Sequence, residues 1–315
     1  MSDYVRQLPR QGAPDMRRGP GLATQLHVDA PLLLLLLALT VYGLFVLYSA
    51  SGQSVDAVIR QGRYVLLAYA VMFIAAQIGL QRYARWALWL YLAGVALLVA
   101  VMLMGVGAKG AQRWLQIGGF RFQPAEIMKL ALPLVVAWYL AERPLPPRFG
   151  AVIGALCLIA VPAALILQQP DLGTALLIVA SGMFVLFLAG IGWRYIVGAL
   201  ALAIASAWPA WTFVLKDYQR QRILTMLNPE SDKLGAGWNT MQATTAIGSG
   251  GWEGKGWMQG TQSQLDFLPE SHTDFIIAVL AEEFGLRGVL LLTGIYLLIL
   301  LRGFWIGMRA QSSFG

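Results

Sequence analysis

The chain has 315 residues, of which 58% are hydrophobic and only 12% charged, and its mean hydropathy is +0.63. Soluble domains carry about a quarter charged residues, so this composition predicts an all-α polytopic membrane protein. One cysteine excludes an internal disulfide, and two distant histidines disfavour a zinc site. The net charge of +7 comes without the basic helix or aromatic–basic repeat of a nucleic-acid-binding protein.

Residues 1–29 are polar and rich in arginine, glycine and proline, which predicts a disordered cytoplasmic tail. Residues 30–315 are predicted to form one transmembrane domain, and its first apolar run is long enough to cross a bilayer core of about 30 Å. Glu282, Glu283 and Arg287 interrupt the over-long last run, which predicts a short half-helix followed by a full span. The eight apolar runs are Pro31–Ala50, Tyr64–Leu80, Trp86–Val106, Ala125–Leu140, Ala151–Leu167, Thr174–Ala189, Tyr195–Leu215 and Phe275–Trp305.

Two long segments, 107–124 and 216–273, connect the predicted spans, and the second is rich in Gly, Gln, Ser and Trp. Such a composition indicates a structured cap rather than a linker. With the N-terminus in the cytoplasm, eleven basic residues lie inside and ten outside, mostly in these two segments. The positive-inside rule weakens for long loops, so this orientation is favoured. An anionic ligand would explain the basic residues that remain outside.

The first group of candidate residues follows the third predicted span. Arg113 and Arg121 are donors suited to phosphate, and Trp114 can lie at the interface or stack on a sugar. Glu126 and Lys129 are three residues apart and can pair on one helical face. On spacing alone, a structural ion pair and an interface anchor are the favoured interpretation.

A second group combines turn residues and glycines. Asp171 stands in a tight turn before a predicted span, where a helix cap is favoured over a catalytic carboxylate. Arg220 and Arg222 precede a glycine-dense segment at 248–256. These glycines allow close backbone approach to a ligand but match neither a P-loop nor a dinucleotide motif. Phosphate binding and a flexible loop are both open interpretations.

Asp274 follows a polar segment and is predicted to stand in the first turn of an apolar helix. A charged group at a membrane boundary is costly unless it faces a cavity or a partner. A carboxylate there could act as a general base toward a sugar hydroxyl. From the residues alone, this function and a helix cap explain Asp274 equally well.

Ten motifs in order, from about residue 26 to the end, resemble the SEDS family and within it the RodA-type branch. The resemblance implies a SEDS-type helical bundle in the bacterial inner membrane, with a large periplasmic loop between helices 7 and 8. The motifs are SASGQ at 49–53, KGAQRW at 109–114, RFQPAE at 121–126, QPDLGTA at 169–175, DYQRQR at 217–222, NPESD at 228–232, GSGG at 248–251, GKGW at 254–257, GTQSQLDFLPESHTDF at 260–275 and LAEEFG at 280–285.

The resemblance implies a peptidoglycan glycosyltransferase that polymerises lipid II during cell elongation and rod-shape maintenance. It implies a class B penicillin-binding protein and rod-complex proteins as partners. The family's proposed catalytic aspartate maps to Asp274, and positions important for activity map to Trp114, Arg121, Glu126 and Lys129. This correspondence turns the first group of candidates into expected substrate-binding residues.

The combined hypothesis gives each candidate a role. The lipid pyrophosphate of the growing strand is expected near Arg113 and Arg121 or near the pair Arg220 and Arg222. Asp274 is expected to remove the proton of the attacking hydroxyl, or to hold a divalent cation such as Mg²⁺ or Mn²⁺, although no motif demands a metal. No other cofactor is expected.

Two alternatives belong to other functional classes. A flippase or transporter of lipid-linked precursors also suits buried charges and broken helices. A non-catalytic scaffold for a penicillin-binding protein is the other alternative. Family members have ten membrane helices, whereas this chain stops at Gly315 after the eighth predicted span. It is therefore expected to be C-terminally truncated, which leaves the activity of this form open.

Overall fold

The computed structural model describes residues 27–108, 111–117, 120–215, 217–228, 236–264 and 271–310, with Ser312 and Phe314. Over these residues the chain is largely helical, with three short strands. The helices are α1 (Ala30–Ala50), α2 (Val55–Ala76), α3 (Leu80–Met104), α4 (Pro124–Ala141), α5 (Phe149–Gln168), α6 (Leu172–Leu188), α7 (Trp193–Pro209), α8 (Asp217–Leu227), α9 (Ala236–Gly250), α10 (Thr261–Gln264) and α11 (Ile276–Met308), and the strands are β1 (Val106–Ala108), β2 (Ala111–Ile117) and β3 (Phe120–Phe122).

Each of the eight predicted runs coincides with an apolar helix. Helices α1 to α5 and α11 are long and apolar enough to cross a membrane, and α6 and α7 are shorter apolar helices. Large hydrophobic side chains cover their outer faces, among them Leu66 and Leu103, which are 72% and 80% exposed. A surface of this kind suits contact with lipid tails rather than with water. The predicted all-α polytopic class is confirmed.

The start of α2 differs from the prediction. Ser54 caps this helix by accepting a hydrogen bond from the N–H three residues further on, at 3.3 Å. The helix consequently begins at Val55 and not at Tyr64, as the apolar run predicted. Arg60 and Arg63 lie in its first turns, and their charge had removed this stretch from the run.

The seventh predicted span also changes character before its end. Helix α7 ends at Pro209, and the chain continues as a π-helical turn over Ala210–Val214. The described parts of the segment 216–273 hold α8, α9 and α10. That the whole segment forms a structured cap stays a prediction.

The chain divides into two compact units. The first comprises the described residues of Met1–Gln77 and Pro229–Ile306, and the second comprises those of Ile78–Asn228 and Gly307–Gly315. Each unit has a buried apolar core. The first core contains Ala50, Ala243, Ala246, Ala278 and Val279, and the second, formed by α3 to α6, contains Leu98, Met128, Leu132, Ile166 and Ile178.

Most of the predicted N-terminal tail, residues 1–29, lies outside the described residues. Its last residue, Asp29, caps α1 by accepting a hydrogen bond from the Leu32 N–H at 3.0 Å. The same carboxylate forms a two-point ion pair with Arg302 of α11, at 3.0 and 2.7 Å. One transmembrane domain over residues 30–315 stays a prediction.

Candidate functional site

Asp274 lies in the turn Ser271–Phe275, and its side chain is exposed. The carbonyl of Phe275 accepts the first α-helical hydrogen bond of α11, from the Val279 N–H at 3.3 Å. The prediction that Asp274 stands in the first turn of the helix is therefore wrong, since it precedes the N-cap position. A capping side chain belongs to the N-cap residue, so this geometry gives no support to the helix-cap interpretation.

Two adjacent carboxylates, Glu282 and Glu283, are 0% and 1% exposed in α11. Oε1 of Glu282 accepts hydrogen bonds from Lys255 Nζ at 2.7 Å, from the Thr261 N–H and hydroxyl at 2.8 and 3.1 Å, and from the Gln262 N–H at 3.0 Å. Its Oε2 has no hydrogen-bond partner in the part of the chain that the structure describes. Burying a carboxylate costs several kcal/mol unless it is paired. Glu282 and its three partners are called the polar network below.

The end of α1 holds both the Asp274 turn and α11. Ser49 donates its hydroxyl to Glu283 Oε1 at 2.5 Å, and both side chains are buried. Ser271, at the start of the turn, donates its hydroxyl to the carbonyl of Ala50 at 3.0 Å. The turn is therefore tied to a neighbouring helix three residues before Asp274.

Helix α11 is broken at Gly285, whose φ is +63°. The N–H groups of Lys255 and Gly256 donate to the carbonyls of the two buried glutamates at 2.9 and 3.0 Å, and the Leu286 N–H donates to the carbonyl of Gly251 at 2.9 Å. Backbone groups freed by a broken membrane helix need such partners. The predicted half-helix followed by a longer helix is confirmed.

Two glycines of the segment 248–256, Gly250 and Gly254, permit this backbone pairing. A Cβ on Gly254 would lie 2.2 Å from the carbonyl oxygen of Glu283, and one on Gly250 would lie 2.0 Å from that of Ala281. Only glycine permits an approach this close. These two glycines approach the backbone of α11, which neither interpretation of the sequence predicted.

The polar network was not predicted as a unit. In the sequence, Glu282 interrupts a predicted span and Lys255 stands in a glycine-dense segment. A signal was available, because two adjacent carboxylates in an apolar helix need a buried partner or a cavity. The sequence offered no way to choose the partner.

In the second unit, the antiparallel strands β1, β2 and β3 lie between α3 and α4 in the chain. Trp114 on β2 is 42% exposed. Arg121 on β3 is also exposed, and its Nε donates to Gln116 Oε1 at 3.1 Å across the strand pair. Both predicted substrate residues are accessible from outside the unit.

Arg113 contacts the turn between α5 and α6. Its Nε donates to the carbonyl of Gln169 at 3.4 Å, its Nη2 donates to that of Pro170, and its Nη1 lies 3.6 Å from Asp171 Oδ2. Asp171 also accepts a hydrogen bond from the Thr174 N–H at 3.2 Å, which confirms it as a helix cap. The guanidinium of Arg113 therefore already has protein partners, and its phosphate-binding role stays a prediction.

Glu126 and Lys129 form the predicted ion pair. Lys129 Nζ lies 2.8 and 3.0 Å from the two carboxylate oxygens, and the two side chains are 58% and 35% exposed respectively. Arg220 donates to the Thr212 carbonyl of the π-helical turn at 2.9 Å, and the side chain of Arg222 lies outside the described part of the structure.

The predicted site residues fall in both units. Among the residues that the structure describes, no group of three or more His, Cys, Asp or Glu side chains is placed to hold a metal ion. Asp274 belongs to the first unit, and Arg113, Trp114, Arg121, Glu126, Lys129, Arg220 and Arg222 belong to the second.

In the part of the chain that the structure describes, six apolar helices of membrane-spanning length define a multi-pass α-helical membrane protein. More narrowly, the chain belongs to the cell cycle protein family FTSW_RODA_SPOVE, which matches residues 30–315. The family expected from the motifs is therefore confirmed.

Relatives and solved structures agree with this membership. The chain is 50% identical over 291 residues to the peptidoglycan glycosyltransferase MrdB of Escherichia coli (strain K12), covering 92% of this chain and 79% of that protein. It is 36% identical over 301 residues to the probable peptidoglycan glycosyltransferase FtsW of Geobacter metallireducens, covering 91% and 79%.

Two solved structures share the fold over most of their length. One is reported under "Structural coordination of polymerization and crosslinking by a peptidoglycan synthase complex", with a TM-score of 0.76, 31% identity and coverage of 91% of this chain and 80% of that one. The other is the rod shape determining protein RodA of Thermus thermophilus, with a TM-score of 0.64, 28% identity and coverage of 91% and 77%.

Proposed function

We propose that the chain polymerises lipid II into glycan strands during cell elongation, with Asp274 as the general base. The chain is a peptidoglycan glycosyltransferase of the inner membrane, as its 50% identity to MrdB over 92% of its length indicates. The observation that carries the base assignment is the exposed Asp274 carboxylate on a turn held by Ser271. A general base must reach the proton that it removes and must be held in a fixed geometry.

In the proposed reaction, the 4-hydroxyl oxygen of the acceptor lipid II attacks the anomeric carbon of the growing strand. A new glycosidic C–O bond forms there, and the bond from that carbon to the lipid pyrophosphate breaks. Asp274 takes the proton of the attacking hydroxyl. Undecaprenyl pyrophosphate leaves with the bonding electrons. The reaction needs no nucleotide.

The leaving pyrophosphate is anionic, and accessible arginines would bind it. Arg121 is exposed on β3 and Trp114 is exposed on the neighbouring strand β2, which supports a role for this strand pair in contacting phosphate and sugar. Arg220 and Arg222 are the second candidate pair for the phosphates. Lys129 is accessible despite its ion pair, so it remains a candidate as well.

The alternative role of Asp274 in the proposal is to hold a divalent cation that assists removal of the proton. Mg²⁺ commonly takes one or two carboxylates and completes its coordination with water and substrate phosphates. A single exposed carboxylate fits that mode, in which the ion would neutralise charge on the pyrophosphate.

The proposal includes a cytoplasmic N-terminus and a class B penicillin-binding protein as partner, together with rod-complex proteins. The partner is supported by the likeness to a structure in which a synthase complex coordinates polymerisation and cross-linking. The orientation is supported by the placement of arginines in the tail and the short loops.

The test compares the purified protein with its Asp274→Asn variant on lipid II. Loss of a general base is expected to lower kcat by about 100-fold or more, with KM nearly unchanged. Asp56→Asn is the matched control, because Asp56 is also an exposed aspartate, in the first turn of α2, and is expected to retain full activity. Normal polymerisation by Asp274→Asn would refute the base assignment, and transbilayer movement of lipid II without polymer would favour a flippase.

A further inference from the structure

We propose that the polar network is a positioning device that fixes the Asp274 turn for catalysis, with Glu282 and Lys255 as its central pair. Glu282 follows Asp274 in the chain, whereas Lys255, Thr261 and Gln262 precede it. The Glu282 carboxylate accepts hydrogen bonds from these three residues, which precede it by 27, 21 and 20 positions. It therefore closes a loop of chain that contains the proposed base, and this inference rests on the proposed function of Asp274.

The polar network holds this loop strongly because the charged Glu282 carboxylate is buried. Glu282 is fully buried, so if the loop opened, its carboxylate would lose the Lys255 ammonium and two backbone N–H donors together. A buried charge without its partner is strongly unfavourable, which biases the chain toward the closed arrangement. The lysine is only 27% exposed on its side chain, so water replaces it poorly.

The network is not needed to satisfy the broken helix. Backbone groups on either side of Gly285 already pair with the segment 251–256 through their own N–H and carbonyl groups. A well-packed apolar pair can stabilise a fold as well as a buried ion pair does. What the ion pair and its backbone donors add is one defined arrangement of the chain around Glu282.

The other side of the turn is held independently. Ser271 donates to the carbonyl of Ala50, and Ser49 donates to Glu283, so α1 fixes the start of the turn and the half-helix after it. The polar network fixes the chain at Thr261 and Gln262, upstream of the same turn in the sequence. The described chain is thus fixed both before the turn and at its start.

The experiment uses Glu282→Gln in the full chain, with Glu253→Gln as the matched control. Glu253 lies in the same segment and pairs with Arg287 at 2.9 Å, but both side chains are largely exposed. Glutamine keeps an oxygen that can accept the backbone N–H bonds of Thr261 and Gln262, and it removes the charge that Lys255 requires. Two readouts are taken on folded protein in lipid nanodiscs, namely lipid II polymerisation and amide hydrogen exchange over residues 261–264 and 271–275.

Glu282→Gln is expected to lower kcat by about 10- to 100-fold, since misplacing a catalytic group by about 1 Å can cost 100-fold. KM for lipid II should stay within about twofold, because the substitution lies outside the proposed substrate-binding residues. Exchange in the two segments should accelerate about 10-fold or more. Glu253→Gln should match the wild type in every readout.

Unchanged kcat or unchanged exchange in Glu282→Gln would overturn the proposal. So would a loss of activity that follows only the amount of folded protein. If Glu282→Gln folds poorly, Thr261→Val removes one hydroxyl donor and is expected to show smaller changes in the same two readouts. If Asp274→Asn is fully active while exchange still accelerates in Glu282→Gln, the general base is wrong and the role of the network in holding the turn stands.

Discussion

Replacing Gly254 by alanine tests the packing of the glycine-rich segment on α11. Gly254 has φ +81°, a backbone conformation that costs an L-residue about 1–2 kcal/mol. Its added Cβ would lie 2.2 Å from the carbonyl oxygen of Glu283 and 2.6 Å from the backbone nitrogen of Gly285. Both neighbours are backbone atoms of the broken helix, so they cannot rotate away as a side chain could.

The expected loss of stability in Gly254→Ala follows from the contacts that the added Cβ would break. The segment would have to withdraw from α11, which breaks the two hydrogen bonds from the Lys255 and Gly256 N–H groups. Each such bond contributes about 0.5–1.5 kcal/mol net. Together with the conformational cost, Gly254→Ala should lower the free energy of unfolding by about 2–5 kcal/mol.

The assay is equilibrium unfolding of the purified protein in mixed micelles titrated with a denaturing detergent. Gly251→Ala is the control, because Gly251 also has a positive φ, +56°, but a Cβ there would meet nothing within 4 Å. The control should cost only the conformational part, about 1–2 kcal/mol. If Gly254→Ala costs no more than Gly251→Ala, close packing of the two backbones is refuted.

Three further predictions concern ion pairs. The hydrogen bond from Arg302 holds the pKa of Asp29 below its ordinary value, so the pair stabilises the protein at neutral pH and loses that contribution as pH falls below about 4. Asp29→Asn keeps a side chain that can cap the helix. The difference in free energy of unfolding between the wild type and this variant should be constant above about pH 5 and should become smaller below it. A difference that becomes larger in acid would contradict the prediction. Arg113→Met should lower the free energy of unfolding by about 1–3 kcal/mol, because its partner Asp171 has a side chain only 13% exposed. Lys129→Met breaks an exposed ion pair and should lower it by less than about 1 kcal/mol. Lys129→Met should nevertheless reduce lipid II polymerisation, and full activity would remove Lys129 from the proposed site.

The predicted spans show which features of the fold a local sequence pattern can predict. Apolar runs located the eight apolar helices found among the described residues, since a bilayer selects for segment length and hydrophobicity, which are properties of consecutive residues. The same rule misplaced the start of α2, because a helix can begin with charged turns that a hydropathy pattern discards.

The candidate site was predicted unevenly for a related reason. Glu126 and Lys129 were paired correctly because three residues span one helical turn, and Asp171 was recognised as a cap from its turn context. Arg113 was expected to be available for phosphate, yet it contacts a turn 56 to 58 residues away. No local spacing rule could have found that contact.

The sequence by itself determined that this is a multi-pass helical membrane protein with charged connecting segments, and its motifs indicated the family. Both kinds of information are local, since they are written in runs of a few to about twenty neighbouring residues. Only the tertiary structure decided that Glu282 takes Lys255 as its partner and that the glycines near residue 254 lie on α11. The physical reason is that a buried charge or a backbone group freed by a broken helix is satisfied by whatever the folded chain brings to it, and that depends on the path of the whole chain.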